Sequence, residues 1–155
     1  MYKRQLPESQ LDRFLMCITL GYPDRLSERA LLIGEDRRHV AERRGAVMTP
    51  DELRAAQAAV LQVHVSDALL DYLQALIAAT RSGQWFVEGL SPRAGISILR
   101  AARARALLAQ RDYVAPDDLQ SILPQTAAHR LVPVASAGRG RLEQVRAMVE
   151  AIGLP

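Results

Sequence analysis

The sequence predicts an all-α protein, a helical bundle preceded by a short helix and a short strand. Signals for helix starts, in which serine or threonine is followed by proline or an acidic residue, recur along the 155 residues. Between these signals, apolar residues return at intervals of three and four, as on one face of a helix. Strand-like sequence is almost confined to residues 16–20. With 49% apolar residues, the chain can bury the core of one ordinary domain.

The N-terminal part contains the predicted strand. Ser9 can cap a short helix over residues 10–15, and the apolar run at 16–20 follows it. A second helix is predicted over residues 27–38. The segment 37–47 contains four arginines and a glycine, and it is predicted to be a solvated connector.

The next two helices have the clearest boundaries. The segment 49–52, Thr-Pro-Asp-Glu, provides an N-cap, a proline in the first turn and a capping-box glutamate, so a helix is predicted from here to about Val63. Another helix is predicted over residues 66–82, with Gly83 ending it. The predicted apolar faces are Leu53, Ala56, Val60 and Leu61 on the first, and Leu69, Tyr72, Leu73, Leu76 and Ile77 on the second.

Three further helices complete the predicted bundle. A loop over 84–90, in which Trp85 is expected to cover the core, leads to a long helix over 91–110. Another helix begins at Pro116, and a last amphipathic helix covers residues 142–152. The inward positions predicted in the first two of these helices are Ile98, Leu99, Ala102, Ala106, Leu107, Leu119, Ile122 and Leu123.

Composition limits the function classes. The net charge of +3 arises from basic and acidic residues that alternate along the chain, so nucleic-acid binding is not favoured. Cys17 is the single cysteine, so no internal disulfide can form, and we expect its thiol to be buried. No apolar run approaches the length that spans a bilayer, which predicts no membrane association and a cytoplasmic location.

Motifs for catalysis are absent from the sequence. The three histidines are not spaced as metal ligands on one helix face. No G-x-x-x-x-G-K-[ST] phosphate loop occurs, and Lys3 is the only lysine. The chain by itself is therefore expected neither to hold ATP nor to hydrolyse it.

Arg93 is the residue whose position first points to a ligand. Ser91 is a natural N-cap and Pro92 the first helical residue, so Arg93 lies in the first turn, facing the positive end of the helix dipole. That placement is reasonable if a phosphate binds beside it, because helix N-termini favour anions. The alternative is an exposed arginine in an arginine-rich chain, and the residues alone leave both interpretations open.

Several motifs together resemble a known family. They are L-P-E-S-Q-L-D-R-F-L-M at 6–16 with L-G-Y-P at 20–23, G-L-S-P-R-A at 89–94 with L-R-A-A-R-A at 99–104, R-D-Y-V-A-P-D-D-L at 111–119, and A-H-R-L at 128–131. Their order and spacing are similar to those of MoxR-type AAA+ ATPases, from the segment after the sensor 1 strand through the helical lid. The resemblance covers about residues 5–135.

The resemblance implies roles for individual residues. Arg13, in the L-D-R-F motif, corresponds to the arginine finger that reaches ATP bound in a neighbouring subunit. Arg93, in S-P-R-A, corresponds to sensor 2, which contacts the nucleotide of its own subunit. A guanidinium suits both roles because it binds phosphate oxygens in a bidentate manner. Arg100 is a weaker candidate for anion contact, with a solvated face as the alternative, and the family likeness of His129 and Arg130 comes without a mechanism.

The resemblance also implies an organisation and a parent activity. Residues 1–48 would be the remnant of the AAA+ core and a connector, 49–135 the lid domain, and 136–155 a C-terminal helix. The parent would use ATP and Mg²⁺ in a ring, with a hexamer as the expected assembly, to remodel or metallate clients such as proteins with von Willebrand factor A domains. The chain alone would bind neither ATP nor Mg²⁺. We expect it to be an excised piece or a reading frame begun late.

Two rival functions remain open at this point. An independent helical module could bind a partner protein through its arginines, in which case replacing Arg93 would leave ATP turnover intact. A small helical DNA-binding protein would lose duplex binding steeply as salt rises.

Overall fold

The computed structural model describes residues 8–34, 45–134 and 138–154, and it is mostly helical, as predicted. The chain divides into two compact units, one formed by residues 1–17 and 59–155 and the other by residues 18–58. The helices are α1 (Glu8–Leu11), α2 (Arg25–Ile33), α3 (Pro50–Gln62), α4 (Asp67–Arg81), α5 (Pro92–Leu108), α6 (Pro116–Ala127), a 3₁₀ helix (Ala128–Arg130) and α7 (Arg141–Ala151).

The core of the first unit is built from α4 to α7. The face predicted for α4 is buried, with Ile77 packed at its edge. Trp85 packs partly buried against the core as expected, and the neighbouring Phe86 is fully enclosed. The largest fully buried apolar side chains of this unit are Leu76, Phe86, Ile98, Leu119, Leu123, Leu131, Val145 and Met148. The inward positions predicted for α5 and α6 therefore agree with the structure.

Helix starts and stops follow the local chemistry that predicted them. The Ser66 hydroxyl accepts from the amide of Leu69 at 3.3 Å and so caps α4. Gly83, beyond the end of α4, has a φ of +76°, which a residue with a side chain would adopt only under strain. The Thr49 amide donates to the Glu52 carboxylate at 2.7 Å, and the Glu52 amide donates back to the Thr49 hydroxyl at 3.2 Å. The predicted capping box is thus confirmed.

The described part of the second unit has little interior. The side chains described in α2 are exposed, and α3 has no buried residue, with Leu53 half exposed. The prediction that the α3 stripe enters a core is therefore wrong. A unit of this size has too small a volume to enclose one.

Three N-terminal predictions need correction. Residues 16–20 form no strand, since a strand requires a neighbour to pair its backbone. Within the described ranges, this run has one such bond, from the Cys17 amide to the Gln125 carbonyl at 2.8 Å. Helix α1 ends at Leu11, four residues earlier than predicted. Cys17 is exposed, whereas burial was expected.

The second helix begins two residues early. The Asp24 carboxylate caps α2 by accepting from the amides of Leu26 and Ser27, both at 2.9 Å. It also ends early, at Ile33 instead of about residue 38, because the backbone of Gly34 is extended and does not continue the helix. The arginine cluster of the connector lies outside the described residues, in the gap at 35–44. The domain division at residues 48 and 135 stays a prediction. In the described ranges, no helix has the length and apolarity needed to cross a bilayer.

Candidate functional site

The start of α5 is held in place by the end of α4. The Leu90 amide donates to the Thr80 hydroxyl at 3.0 Å, and Thr80 is buried. The Leu90 carbonyl accepts from Nε and Nη2 of Arg81, at 3.0 and 2.8 Å. Both backbone groups of the residue before the N-cap are therefore fixed, and with them the direction in which α5 leaves the loop.

Gly89 allows the loop before α5 to pack closely against Arg81 of α4. A Cβ at this position would lie 2.8 Å from the Arg81 Cα, closer than real side chains come to backbone. The glycine of the G-L-S-P-R-A motif is therefore required by packing.

The hydroxyl of Ser91 has two functions. It accepts from the Ala94 amide at 3.1 Å, the N-cap bond that the sequence predicted. It also donates to the carboxylate of Asp12, lying 3.1 Å from both Oδ1 and Oδ2. The start of α5 is thereby joined to the L-D-R-F segment, 79 residues earlier in the chain.

Arg130 forms the other side of this junction, and its side chain is only 4% exposed. Its Nε lies 3.4 Å from the Asp12 Oδ1, an ion pair rather than a well-directed hydrogen bond. Its Nη2 donates to the carbonyls of Asp12 and Phe14 at 3.2 and 2.7 Å, and its Nη1 donates to the Thr126 carbonyl at 3.1 Å. We name Asp12, Ser91 and Arg130 together the clamp.

His129 adds a contact to the same segment. Its Nε2 lies 3.1 Å from the Phe14 carbonyl, the acceptor that Arg130 also uses. Burial lowers the pKa of His129 from its ordinary value, and the neighbouring Arg130 charge lowers it further, although the Phe14 carbonyl and the Asp12 charge oppose the shift. The shift favours the neutral ring, which can reach the Phe14 carbonyl only with its proton on Nε2, because a carbonyl oxygen accepts.

Charge at the clamp is balanced by Asp12. Burial lowers the pKa of Arg130, the Asp12 carboxylate raises it, and the Arg93 charge lowers it. Arg130 and Arg93 thus repel each other, and Asp12 is the anion that compensates.

The structure places the predicted site residues as follows. Arg13 lies in the turn after α1, next to the clamp residue Asp12, and Arg93 lies in the first turn of α5, two residues after Ser91. Both side chains are exposed, and neither has a carboxylate within ion-pair distance in the described part of the chain. Arg100 is also exposed, further along α5. The clamp therefore brings the Arg13 and Arg93 segments together.

The start of α5 already has an anion beside it. An anion does lie at the start of α5, but it is the carboxylate of Asp12, which contacts the N-cap hydroxyl. The position of Arg93 in the first turn therefore does not by itself require a phosphate. The observation that favours a phosphate is the exposure of Arg93 and Arg13, neither of which has an acidic partner among the residues that the structure describes.

The fit to ATP and Mg²⁺ can be tested separately. Exposed guanidinium groups are suited to phosphate oxygens. Within residues 8–34, 45–134 and 138–154, no three histidine, cysteine, aspartate or glutamate side chains are grouped as metal ligands. The described residues thus include groups suited to the phosphate oxygens of a nucleotide.

A second arginine–aspartate pair lies in the R-D-Y-V-A-P-D-D-L motif. Asp118 is buried, and its two carboxylate oxygens accept from Arg111, both at 2.7 Å. The Ala115 amide donates to the same carboxylate at 2.9 Å, and Arg105 lies 3.4 Å away. Hydrogen bonds from Arg111 hold the pKa of Asp118 below its usual range, against the opposing effect of burial. This pair shapes the turn between α5 and α6.

The sequence prediction missed Asp12 and the bonding role of Ser91, and it gave Arg130 no mechanism. The A-H-R-L motif was a signal for Arg130. Apart from this motif, the sequence does not distinguish the buried Arg130 from the many exposed arginines, because its spacing is like theirs.

Comparison with known proteins identifies the lid. Residues 78–152 match the family described as the AAA lid domain. The chain is 37% identical over 127 residues to the uncharacterised protein YeaC of Bacillus subtilis, covering 82% of this chain and 40% of YeaC. It is 38% identical over 138 residues to the chaperone MoxR1 of Mycobacterium tuberculosis, covering 82% of this chain and 36% of MoxR1.

A solved structure agrees with these matches. The crystal structure of a candidate ATPase from Cytophaga hutchinsonii aligns with a TM-score of 0.80 and 26% identity, covering 97% of this chain and 49% of that one. The chain thus spans about two fifths of the two curated relatives and about half of the solved structure. Taken with the matched motifs, these similarities show that the chain belongs to the MoxR-type AAA+ ATPases and carries their lid domain.

Proposed function

We propose that this chain is the nucleotide-responsive lid region of a ring-forming AAA+ ATPase. Arg93 would act as sensor 2 toward the nucleotide of its own subunit, and Arg13 as the arginine finger toward the neighbouring subunit. The observation that carries the proposal is the exposure of both guanidinium groups, each in a family motif and each beside the clamp. The whole protein would use ATP hydrolysis to remodel a client protein, with metal insertion or a von Willebrand factor A domain client as the family precedent.

The contribution of this chain to catalysis would be electrostatic. Phosphoryl transfer requires little covalent participation from the protein and depends on positioning and on neutralising charge at the phosphate oxygens. Arg93 and Arg13 would supply that neutralisation from two different subunits. The nucleotide and its Mg²⁺ would be held by a core domain whose phosphate loop is not part of this sequence.

The test uses a chimera in which this chain replaces the aligned region of the chaperone MoxR1. ATP turnover is measured by phosphate release. We expect Arg13→Ala to lower kcat by about 10³, the lower end of the range for arginine fingers. Arg93→Ala should lower kcat/KM by about tenfold, the effect of losing a charge-assisted hydrogen bond. Arg100→Ala should change either quantity by less than about twofold, because Arg100 is exposed and lies two turns further along α5 than Arg93.

Two controls make this test specific. Arg146, an exposed arginine of α7, provides a matched substitution that should leave turnover unchanged. Mixing Arg13→Ala subunits with subunits that lack the phosphate-loop lysine should restore part of the activity, because the finger acts across the interface. Undiminished hydrolysis in both the Arg13→Ala and Arg93→Ala chimeras would refute the proposal and favour an independent interaction module.

A further inference from the structure

The clamp joins two segments whose arginines are assigned to different nucleotides. Asp12 immediately precedes Arg13, and Ser91 is the N-cap of the helix whose first turn holds Arg93. The Ser91 hydroxyl and the Asp12 carboxylate form a direct bond between these segments. Any movement of one segment relative to the other would have to break it.

Arg130 supports the bond between Ser91 and Asp12 through its own contacts with the segment that contains Asp12. It reaches two carbonyls of the L-D-R-F segment and one carbonyl of α6, and it forms the ion pair with Asp12. A guanidinium has enough donors to do this at once, whereas a lysine amine cannot span the same set of acceptors. Being 4% exposed, Arg130 has exchanged most of its hydration for these contacts.

Among the residues that the structure describes, this segment has two further hydrogen bonds to the rest of the first unit. The Cys17 amide donates to the Gln125 carbonyl, and His129 contacts the Phe14 carbonyl. Phe14, Leu15 and Met16 are 56, 50 and 40% exposed, so apolar burial holds each of them only in part. Polar bonds from Arg130 and His129 therefore fix where the backbone around Arg13 lies.

We propose that Arg130 is a positioning residue that locks the Arg13 segment to the N-terminus of α5, so that the finger and the sensor move as one body. The proposal rests on the function proposed above for Arg13 and Arg93. It adds that a shift of α5 on nucleotide contact at Arg93 is carried through Ser91 and Asp12 to the finger presented to the neighbouring subunit. Arg130 itself need not touch the nucleotide.

The first experiment uses the 155-residue chain and does not depend on ATP. Hydrogen exchange is followed at the amides of Arg13, Phe14 and Cys17, each of which donates to a backbone carbonyl. A nitroxide on Cys17, the single cysteine and an exposed one, reports the mobility of the same segment. In Arg130→Ala we expect exchange at these amides to accelerate about tenfold or more and the nitroxide spectrum to sharpen, with α4 amides unchanged.

Milder variants separate positioning from general destabilisation. Asp12→Asn keeps the shape and a hydrogen bond to Ser91 but removes the ion pair, so it should loosen the segment less than Arg130→Ala. Arg130→Lys keeps the charge and should restore only part of the protection. Arg146→Ala is the matched control and should change nothing. Unchanged exchange in the segment, or equal acceleration throughout the first unit in both Asp12→Asn and Arg130→Ala, would overturn the proposal.

The second experiment places Arg130→Ala in the MoxR1 chimera. We expect kcat to fall about tenfold with KM for ATP nearly unchanged, because the finger is displaced while the nucleotide contacts of the core remain. If Arg13→Ala abolishes turnover and Arg130→Ala leaves kcat intact, the positioning role is refuted and the proposed function stands. If Arg13→Ala and Arg93→Ala have no effect while the exchange results hold, the proposed function fails and the lock between the segments remains.

Discussion

Two arginine–aspartate pairs in the same unit use the same chemistry for different purposes. Arg111 and Asp118 are seven residues apart and meet through two parallel 2.7 Å bonds, with Asp118 only 1% exposed. Arg130 and Asp12 are 118 residues apart and meet at 3.4 Å, with Asp12 28% exposed and most bonds of Arg130 directed at carbonyls. The first pair closes a turn inside the lid, whereas the second attaches a segment that is distant in sequence to the lid.

The comparison predicts its largest effect at Asp118. Asp118→Ala should lower the free energy of unfolding by about 3 kcal/mol, because it removes the partner of Arg111 and the acceptor of the Ala115 amide. Chemical denaturation measures the loss. Asp117→Ala, at the exposed neighbouring position, is the control and should cost only a few tenths of a kcal/mol, about the value of a helix-dipole interaction. A loss below about 1 kcal/mol for Asp118→Ala would show that this pair does not hold the fold.

The same residue predicts how stability responds to acid. The pKa of Asp118 is lowered in the folded state, so the folded protein binds fewer protons than the unfolded chain in that range. This contribution to stability is complete above the ordinary pKa of 3.8 and is lost as pH falls through the lower folded value. Asp118→Ala should therefore flatten the loss of stability below pH 3.8.

Gly89 tests whether the start of α5 depends on close packing against α4. Gly89→Ala should lower the free energy of unfolding by about 2 kcal/mol, because the new methyl group would overlap the backbone of Arg81. Thermal denaturation measures the loss, with Gly21→Ala as control, since a Cβ there would meet no atom within 4 Å. Equal melting temperatures for the two variants would show that the loop can shift to accommodate the methyl group.

A smaller loss in the free energy of unfolding is expected when the clamp is altered. Asp12→Asn should lower the free energy of unfolding by about 1 kcal/mol or less, since the carboxylate is partly hydrated and the segment it holds contributes little to the core. A double-mutant cycle with Arg130→Ala should give a coupling of about 1 kcal/mol. A global loss as large as that at Asp118 would erase the distinction between the two pairs.

The contrast between the pairs also shows what the sequence could predict. The α4 face and the Ser91 cap follow from local spacing and capping chemistry, which is why these predictions agree with the structure. The run at 16–20 has the composition of a strand but lacks a neighbouring strand, and tertiary context overrides its propensity. The bond between Asp12 and Ser91 joins residues 79 apart, and no local pattern encodes it. The family motifs pointed to the segments of Arg13 and Arg93, and the structure supplied the contact between them.

The smallest expected effect is a pH dependence of stability that arises from His129. It is specific to the attachment of the segment that contains Arg13. Burial lowers the pKa of His129, so below about pH 6.5 the unfolded chain takes up a proton that the folded ring resists. Stability should be level above pH 6.5 and decline as pH falls below it. Protonation would add a second positive charge beside Arg130, and exchange of the Phe14 amide should therefore accelerate before α4 is affected. Exchange measured between pH 5 and 7.5 with correction for intrinsic rates should show this order, and His129→Gln should abolish it whereas His64→Gln should not. A decline that begins in α4 would mean that His129 stabilises the lid as a whole and is no specific part of the attachment of the Arg13 segment.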